Sequence, residues 1–346
     1  MLITGLRGVG KTVLLTTFEE RARARGWTTV EAEITKNTEF GGRMAQLVRR
    51  ALLQAAPKAR WKDRAKRAAA VLRSFQLTVS PDGAVTAGID VDALEGVADS
   101  GELAEDLTDL LVALGEAVSD HDTGIVFLFD EVQFLSTIEF EALIAALHKT
   151  VQRALPITLV GAGLPQLPRL AGEAKSYAER LFKFPRIGEL SEAEATRALV
   201  EPAKALDVDY DEAAVSTVVE YTEGYPYFIQ EYGNVLWDLT DQPPITLEHV
   251  QNAGDAVEAK LDGSFFRVRA ERTTELELRY MRAMAELGPE PQQAKDVAKM
   301  LGRTSEQLGP TRSRLIDKGL LYTPGHGLAA FTVPQFDRYM RRSYQF

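Results

Sequence analysis

Apolar and polar positions along this 346-residue chain follow two different rhythms. Over the first 190 residues, short apolar runs alternate with longer stretches in which apolar residues recur every three or four positions. The runs are Met1–Thr4, Trp27–Ile34, Ile125–Phe129, Pro156–Gly163 and Lys183–Leu190. Unbroken apolar runs rich in β-branched and aromatic residues read as strands buried on both faces of a parallel sheet. The three-to-four spacing reads as helices that bury one stripe. Lys11–Gly26 is one such helix, with Val13, Leu14, Phe18 and Ala22 inward and Gly26 closing it. Strands alternating with helices predict an α/β fold, a doubly wound parallel sheet with its ligand at the C-terminal edge of the strands.

From Ser191 the strand rhythm stops. Helical stretches follow over residues 191–206, 211–224 and 225–240, and Ser191 with Glu194 three residues on is a capping-box signal. This predicts a helical lid over 191–262, with a connector near Gly263. Beyond it come a helix over 273–288, a short helix at Ala294–Gly302, a turn, a third helix from about Ser305, a hairpin turning over Pro324–Gly327, and a final amphipathic helix. That order is a winged helix-turn-helix over 265–346. The first domain, 1–190, carries extra chain over about 56–105. There a basic helix (58–74), a hairpin over 75–90 turning at Pro81-Asp82-Gly83, and a helix over 99–118 are expected. The basic helix and hairpin read as a solvated surface insertion, with contact to DNA or a partner as the other reading.

Composition narrows the chemistry. The chain has no cysteine, which excludes disulfides, cysteine zinc sites and a thiol nucleophile. Its four histidines, His121, His148, His249 and His326, are too scattered for a metal site. The start lacks the apolar core of a signal peptide, and no run approaches the roughly 18 apolar residues of a membrane span. A cytoplasmic protein with no membrane partner is expected. The net charge of −10 argues against wholesale coating of nucleic acid. From Phe265 to the end, however, 14 Lys and Arg face 9 Asp and Glu, so any polyanion contact belongs in this C-terminal quarter.

The most specific signal is Gly5-Leu-Arg-Gly8-Val9-Gly10-Lys11-Thr12, a match to G-x-x-x-x-G-K-[ST] between a strand and a helix. Glycines let the backbone curl so that successive N–H groups point at phosphate oxygens, and the helix adds its positive end. Lys11 would reach the β- and γ-phosphates of ATP, and the Thr12 hydroxyl would bind Mg²⁺. Gly5, Gly8, Val9 and Gly10 supply the cradle. The acidic partner follows the run Ile125–Phe129. Asp130, at the strand's C-terminal edge, would hold Mg²⁺, and Glu131 would polarise the attacking water as general base.

These segments, together with Ile157–Gly163 and "YAERLFKFPRI" before the last run, resemble an AAA+ type P-loop ATPase. The nearest flavour is the STAND and archaeal-type group, which is also similar to origin-initiator ATPases. The resemblance implies an arginine that reaches a neighbouring subunit's ATP: Arg180, or Arg186 as the alternative. "GYPYFIQ" resembles a lid motif whose proline, here Pro226, packs near the base, with Tyr225, Tyr227, Phe228 and Trp237 as lid core. Two departures stand out. The polar residue expected near the end of Pro156–Gly163 is replaced by Gly161-Ala162-Gly163, which points to slow turnover. And only four residues, rising about 13 Å, precede the loop, so base recognition rests on the lid, or the chain begins upstream.

"RSRLIDKGLL" resembles the third helix of winged helices. In DNA-binding forms this helix enters the major groove, which would bring Arg303, Thr311, Arg312, Arg314 and Lys318 to phosphates or base edges. Winged helices also dock proteins. The reading is therefore an ATP-binding, slowly hydrolysing switch coupled to double-stranded DNA. The alternative is a nucleotide-dependent signalling scaffold that assembles with itself or a protein partner.

Overall fold

The computed structural model describes residues 1–56, 62–79, 91–121, 123–240 and 243–345. By its internal contacts the chain divides into two compact units. One comprises Met1–Thr4 and Lys11–Arg186, the other Gly5–Gly10 and Ile187–Phe346.

The first unit is built on four parallel strands, β1 (Leu2–Thr4), β2 (Thr28–Glu33), β3 (Ile125–Asp130) and β4 (Ile157–Gly163), in the order β1-β4-β3-β2. The register sets Glu33 beside Asp130 and Phe129 beside Gly161. Because side chains alternate along a strand, Ile125, Phe127 and Phe129 enter one large core. That core is shared with α2 (Phe40–Ala55), α3 (Asp63–Val79), α4 (Leu103–Val118) and α5 (Thr137–Gln152). Helix α1 (Lys11–Ala24) lies against β2, β3 and β4. It is turned relative to expectation: Leu15 is buried, whereas Val13 is 68% exposed. Short helices α6 (Leu167–Ala174) and α7 (Ala178–Leu181) complete the unit.

Two expectations change. The run Lys183–Leu190 is not a regular strand. Leu2 N–H donates to Lys183 O and Thr4 N–H to Pro185 O, each at 2.8 Å, and pairing ends at a bridge between Thr4 and Arg186. Pro185 brings no donor, so this segment can only edge the sheet. Nor is the described part of the insertion a solvated surface feature. Helix α3 runs on through Phe75–Val79, where the hairpin was expected to begin, and its proposed turn lies outside the described residues. Ala65, Ala68, Ala69, Leu72 and Phe75 recur at helical spacing and are all buried. The basic residues occupy the remaining faces.

The second unit opens with α8 (Glu192–Lys204), α9 (Glu212–Thr222), α10 (Pro226–Leu239) and α11 (Leu247–Lys260). Ser191 and Glu194 form the expected capping box. The connector expected near Gly263 is instead helical. A π-helical segment, Leu261–Phe266, carries α11 directly into α12 (Arg267–Ala270). Then come α13 (Glu275–Leu287), β5 (Gln292–Gln293), α14 (Ala294–Met300), α15 (Ser305–Asp317), β6 (Leu321–Tyr322), β7 (Leu328–Phe331) and α16 (Phe336–Ser343). The three short strands form an antiparallel sheet in the order β5-β7-β6. One continuous core runs from Val9 and Ala195 to Met340. Phe265 and Phe266 on the π-helical segment join its halves, Phe228 packing against both and Tyr339 stacking on Phe266. Trp237 is not part of it, being 46% exposed.

Candidate functional site

The glycine loop takes the bent conformation its sequence requires. Gly8 and Gly10 have φ of +86° and +90°, a region that side chains with a Cβ rarely adopt. A Cβ on Gly5 would lie 2.5 Å from the Ile187 carbonyl, while the space beside Gly10 is open to 4 Å. Within the second unit the loop is held on two sides. Arg7 N–H donates to Thr332 O at 3.1 Å, and the Tyr225 hydroxyl donates to the Arg7 carbonyl. Burial, opposed by Arg269 and reinforced by Glu189, raises the Tyr225 pKa, so the phenol keeps its donor proton. Gly8 fits against Tyr225 and Tyr227, and Val9 is buried in the unit's core. The tyrosines flanking the half-buried Pro226 thus meet the loop at Gly8.

In the first unit, Lys11 and Thr12 open α1. Lys11 is only 7% exposed. The Thr12 hydroxyl donates to Asp130 Oδ2 at 2.6 Å. Asp130 also accepts from the Glu131 backbone N–H at 2.8 Å. Glu131 itself sits at φ +55°, a strained setting for a non-glycine residue and one associated with functional positions. Beside Thr12 and Asp130 opens a cavity of about 330 Å³, lined also by Glu31 and Glu33 of β2 and by Arg43 and Arg50 of α2.

Sequence reasoning missed Gln133. Its amide Nε2 donates to the Glu131 carboxylate, and its Oε1 accepts from Leu164 N–H at 3.0 Å. Gly163 makes room for it: a Cβ there would lie 2.4 Å from Gln133 Oε1. A polar group therefore does reach the end of β4, supplied from the turn after β3. The clue was a glutamine two residues beyond the acidic pair, facing a strand end of small residues.

The remaining candidates are spread out. Arg180, on the single turn of α7, and Arg186, at the edge of β1, are both exposed. Arg303, in the turn before α15, is exposed, as are Arg314 and Lys318. Thr311 is 2% exposed. Arg312 donates to Leu328 O at 2.8 Å and Thr323 Oγ1 at 3.2 Å. Arg314 and Lys318 both bond the Glu277 carboxylate, at 3.1 and 2.7 Å. Among the described residues, no cluster of three or more His, Asp or Glu is placed to hold a metal, and no helix is long and apolar enough to cross a membrane.

Residues 1–160 match the family described as AAA ATPase domain, and residues 263–340 match a domain of unknown function, DUF8462. No curated protein matches the sequence. Among solved structures, a Walker-type ATPase of Pyrococcus abyssi is similar over 99% of this chain and 90% of its own, at 15% identity and a TM-score of 0.56. The RuvB Holliday junction branch migration motor of Thermotoga maritima is similar over 100% and 87%, at 15% identity and a TM-score of 0.46. Orc1 of Aeropyrum pernix, solved in complex with DNA, is similar over 99% and 86%, at 14% identity and a TM-score of 0.43. The family match over 1–160 covers both the glycine loop and the Asp130–Glu131 pair, so these residues form an AAA ATPase-like nucleotide-binding domain.

Proposed function

We propose that this protein is an ATP-binding, slowly hydrolysing switch with a core over 1–190, a helical lid over 191–262 and a C-terminal winged helix over 265–346. The observation that carries the reading is the Thr12–Asp130 hydrogen bond, which sets the hydroxyl and carboxylate required for a phosphate-bound Mg²⁺ in contact. Mg²⁺ takes one or two protein oxygens and completes its shell with phosphates and water. A Thr–Asp pair, which leaves the rest of the shell to phosphates and water, fits that demand. Thr12 and Asp130 would hold the ion, and bound Mg²⁺ would neutralise charge on the phosphates.

The chain's own groups do the rest. Loop N–H groups and the Lys11 ammonium would bind the phosphate oxygens. Glu131 would accept a proton from the attacking water. Gln133, bonded to that carboxylate, positions it. Arg180, or Arg186, would stabilise phosphate charge in a neighbouring copy. Pro226 would pack near the base, beside tyrosines that hold the loop.

Duplex DNA is the output on the first reading, through Arg303 and its neighbours. A second reading, a signalling scaffold that docks protein, is favoured by one observation: Arg312, Arg314 and Lys318 are engaged inside the module itself. Measuring MgATP affinity and turnover, with and without duplex DNA, tests the whole proposal. Saturable MgATP binding with slow turnover supports the switch; a folded protein that ignores nucleotide ends it. Salt-dependent duplex binding that Arg303→Ala weakens supports DNA. No duplex binding at low salt, with ATP-dependent assembly, supports the scaffold.

A further inference from the structure

A cavity of about 650 Å³ opens within the second unit, walled by α9, α10 and α11 on one side and α16 on the other. Phe228 of α10 and Phe266 of the π-helical segment form its apolar wall, their ring centres 6.2 Å apart. Tyr221 and Tyr232, also 6.2 Å apart, extend that wall. Gly254 leaves α11 bare beside it: a Cβ there would meet nothing within 4 Å.

The charged lining is unbalanced. Four carboxylates, on Glu220, Glu223, Asp255 and Glu258, face two guanidinium groups, on Arg338 and Arg342. Both arginines are engaged. Arg338 pairs with Glu223 at 2.5 Å, and Arg342 pairs with Glu258 at 3.1 Å and with Asp262. Among the described residues, Glu220 and Asp255 have no ion-pair partner. The acids are also dispersed: no cluster of three or more among the described residues could hold a metal ion.

Tyr232 is a second, independent sign of an occupant. It is 9% exposed and lines the cavity, yet among the described residues its hydroxyl has no hydrogen-bond partner. Burial, and then Tyr221 and Glu258, push its pKa up to about 12. The phenol therefore stays neutral, and its oxygen can accept from a cationic N–H.

We infer that this cavity binds a small aliphatic polyamine. Two unpaired carboxylates call for at least two positive charges, and their separation calls for an extended cation, not a metal ion. Ammonium ends would meet Glu220 and Asp255, an inner ammonium would meet Tyr232 Oη, and the methylenes would lie along the aromatic wall. Aromatic faces attract ammonium groups as well as apolar chain. The volume falls within the range of about 300–1,000 Å³ usual for small-molecule sites. An occupant would brace α9 and α11 against α16. Nucleotide has no part in this recognition.

Calorimetric titration of the full chain with spermidine, at low ionic strength and without nucleotide, tests the inference. Saturable binding at one site per chain is expected. Glu220 and Asp255 are exposed, so Glu220→Gln and Asp255→Asn should fold. Each should weaken binding about fivefold or more, the upper end for a part-exposed ion pair. Tyr232→Phe should cost about threefold. Gly254→Leu, which favours the helix and fills the cavity, should nearly abolish binding while thermal melting shows a folded chain. Glu248→Gln, an exposed acid on α11 outside the cavity, should bind like the parent. MgCl2 should displace no more spermidine than NaCl of equal ionic strength. An equal loss in Glu248→Gln, or preferential displacement by Mg²⁺, would mean diffuse attraction to an acidic surface and overturn the site. Parent-like binding in both Glu220→Gln and Asp255→Asn, or no saturable binding by the folded parent, would overturn it too. A lysine tetrapeptide that outcompetes spermidine would assign the cavity to a protein's lysines and end the small-molecule reading.

Discussion

The Thr12 hydroxyl and the Asp130 carboxylate, 118 residues apart in the chain, meet at 2.6 Å. The pairing joins the first turn of α1 to the C-terminal edge of β3. If it marks a magnesium site, Asp130→Ala weakens MgATP while metal-free ATP binding changes little. On the proposed reading, Lys11→Ala removes a buried charge-assisted contact to phosphate, a loss of about 3 kcal/mol, or on the order of 100-fold in affinity. Titration with a fluorescent ATP analogue, with and without Mg²⁺, separates the two. Equal Mg²⁺ dependence in parent and Asp130→Ala would remove Asp130 from the metal site.

Glu131→Gln keeps the shape of the residue and loses the proposed base. MgATP affinity should stay within about twofold of the parent while turnover falls by about 100-fold or more, the usual scale of general-base catalysis. Phosphate release measured at saturating MgATP decides this. Parent-like turnover would assign the base to another group.

On the same reading Gln133, bonded to the Glu131 carboxylate, acts through it, so its variants should move turnover and spare binding. Gln133→Ala is expected to cut turnover about tenfold, in the range seen when a supporting hydrogen bond is lost. Gly163→Ala should reproduce much of that loss, because its new Cβ would lie 2.4 Å from Gln133 Oε1 and must displace the amide. Gln133→Glu, which puts a second carboxylate beside Glu131, should also raise the apparent pKa in the pH–rate profile. An unchanged profile and turnover in all three would leave Gln133 a purely structural residue.

Glu277 links stability to pH. Its side chain is 0% exposed and bonds Arg314 and Lys318. Burial alone would raise its pKa, but hydrogen bonds from Lys318, the Thr274 backbone and Arg314 outweigh it and hold the pKa at about 2, below the ordinary 4.5. A carboxylate depressed on folding stabilises fully above its unfolded pKa, and the benefit is lost as pH falls through the folded value. Melting temperature should therefore drop as pH falls from about 4.5 toward about 2. Glu277→Gln should cost about 3 kcal/mol at pH 7, the low end for breaking a buried pair, since both cations keep access to water. Its melting temperature should vary less over the acidic interval. Equal slopes for parent and variant would show that Glu277 carries no such linkage.

Local patterning made much of the molecule readable. The run Ile125–Phe129 demanded a buried strand, and Gly5–Thr12 demanded a bent loop feeding a helix; both formed where expected. Capping residues such as Ser191 with Glu194 marked a helix start to the residue. These features depend on backbone preferences and on periodicity within a single element, which neighbouring residues alone dictate.

Three-dimensional packing decided the rest. Helix α3 looks basic in sequence, yet its alanines and Phe75 are drawn into the core because α4 packs against them. The break expected at Gly263 was overridden by Phe265 and Phe266, whose burial on both sides keeps the backbone helical. Arg314 and Lys318 look like a basic surface in sequence; in the fold, buried Glu277 takes them. Gln133 became visible only when Gly163 was brought opposite it. The sequence by itself determined most of the helices, the four regular strands of the parallel sheet and the bent glycine loop. Tertiary structure alone determined which distant polar groups meet, because such contacts depend on how elements stack and not on the order of residues within them.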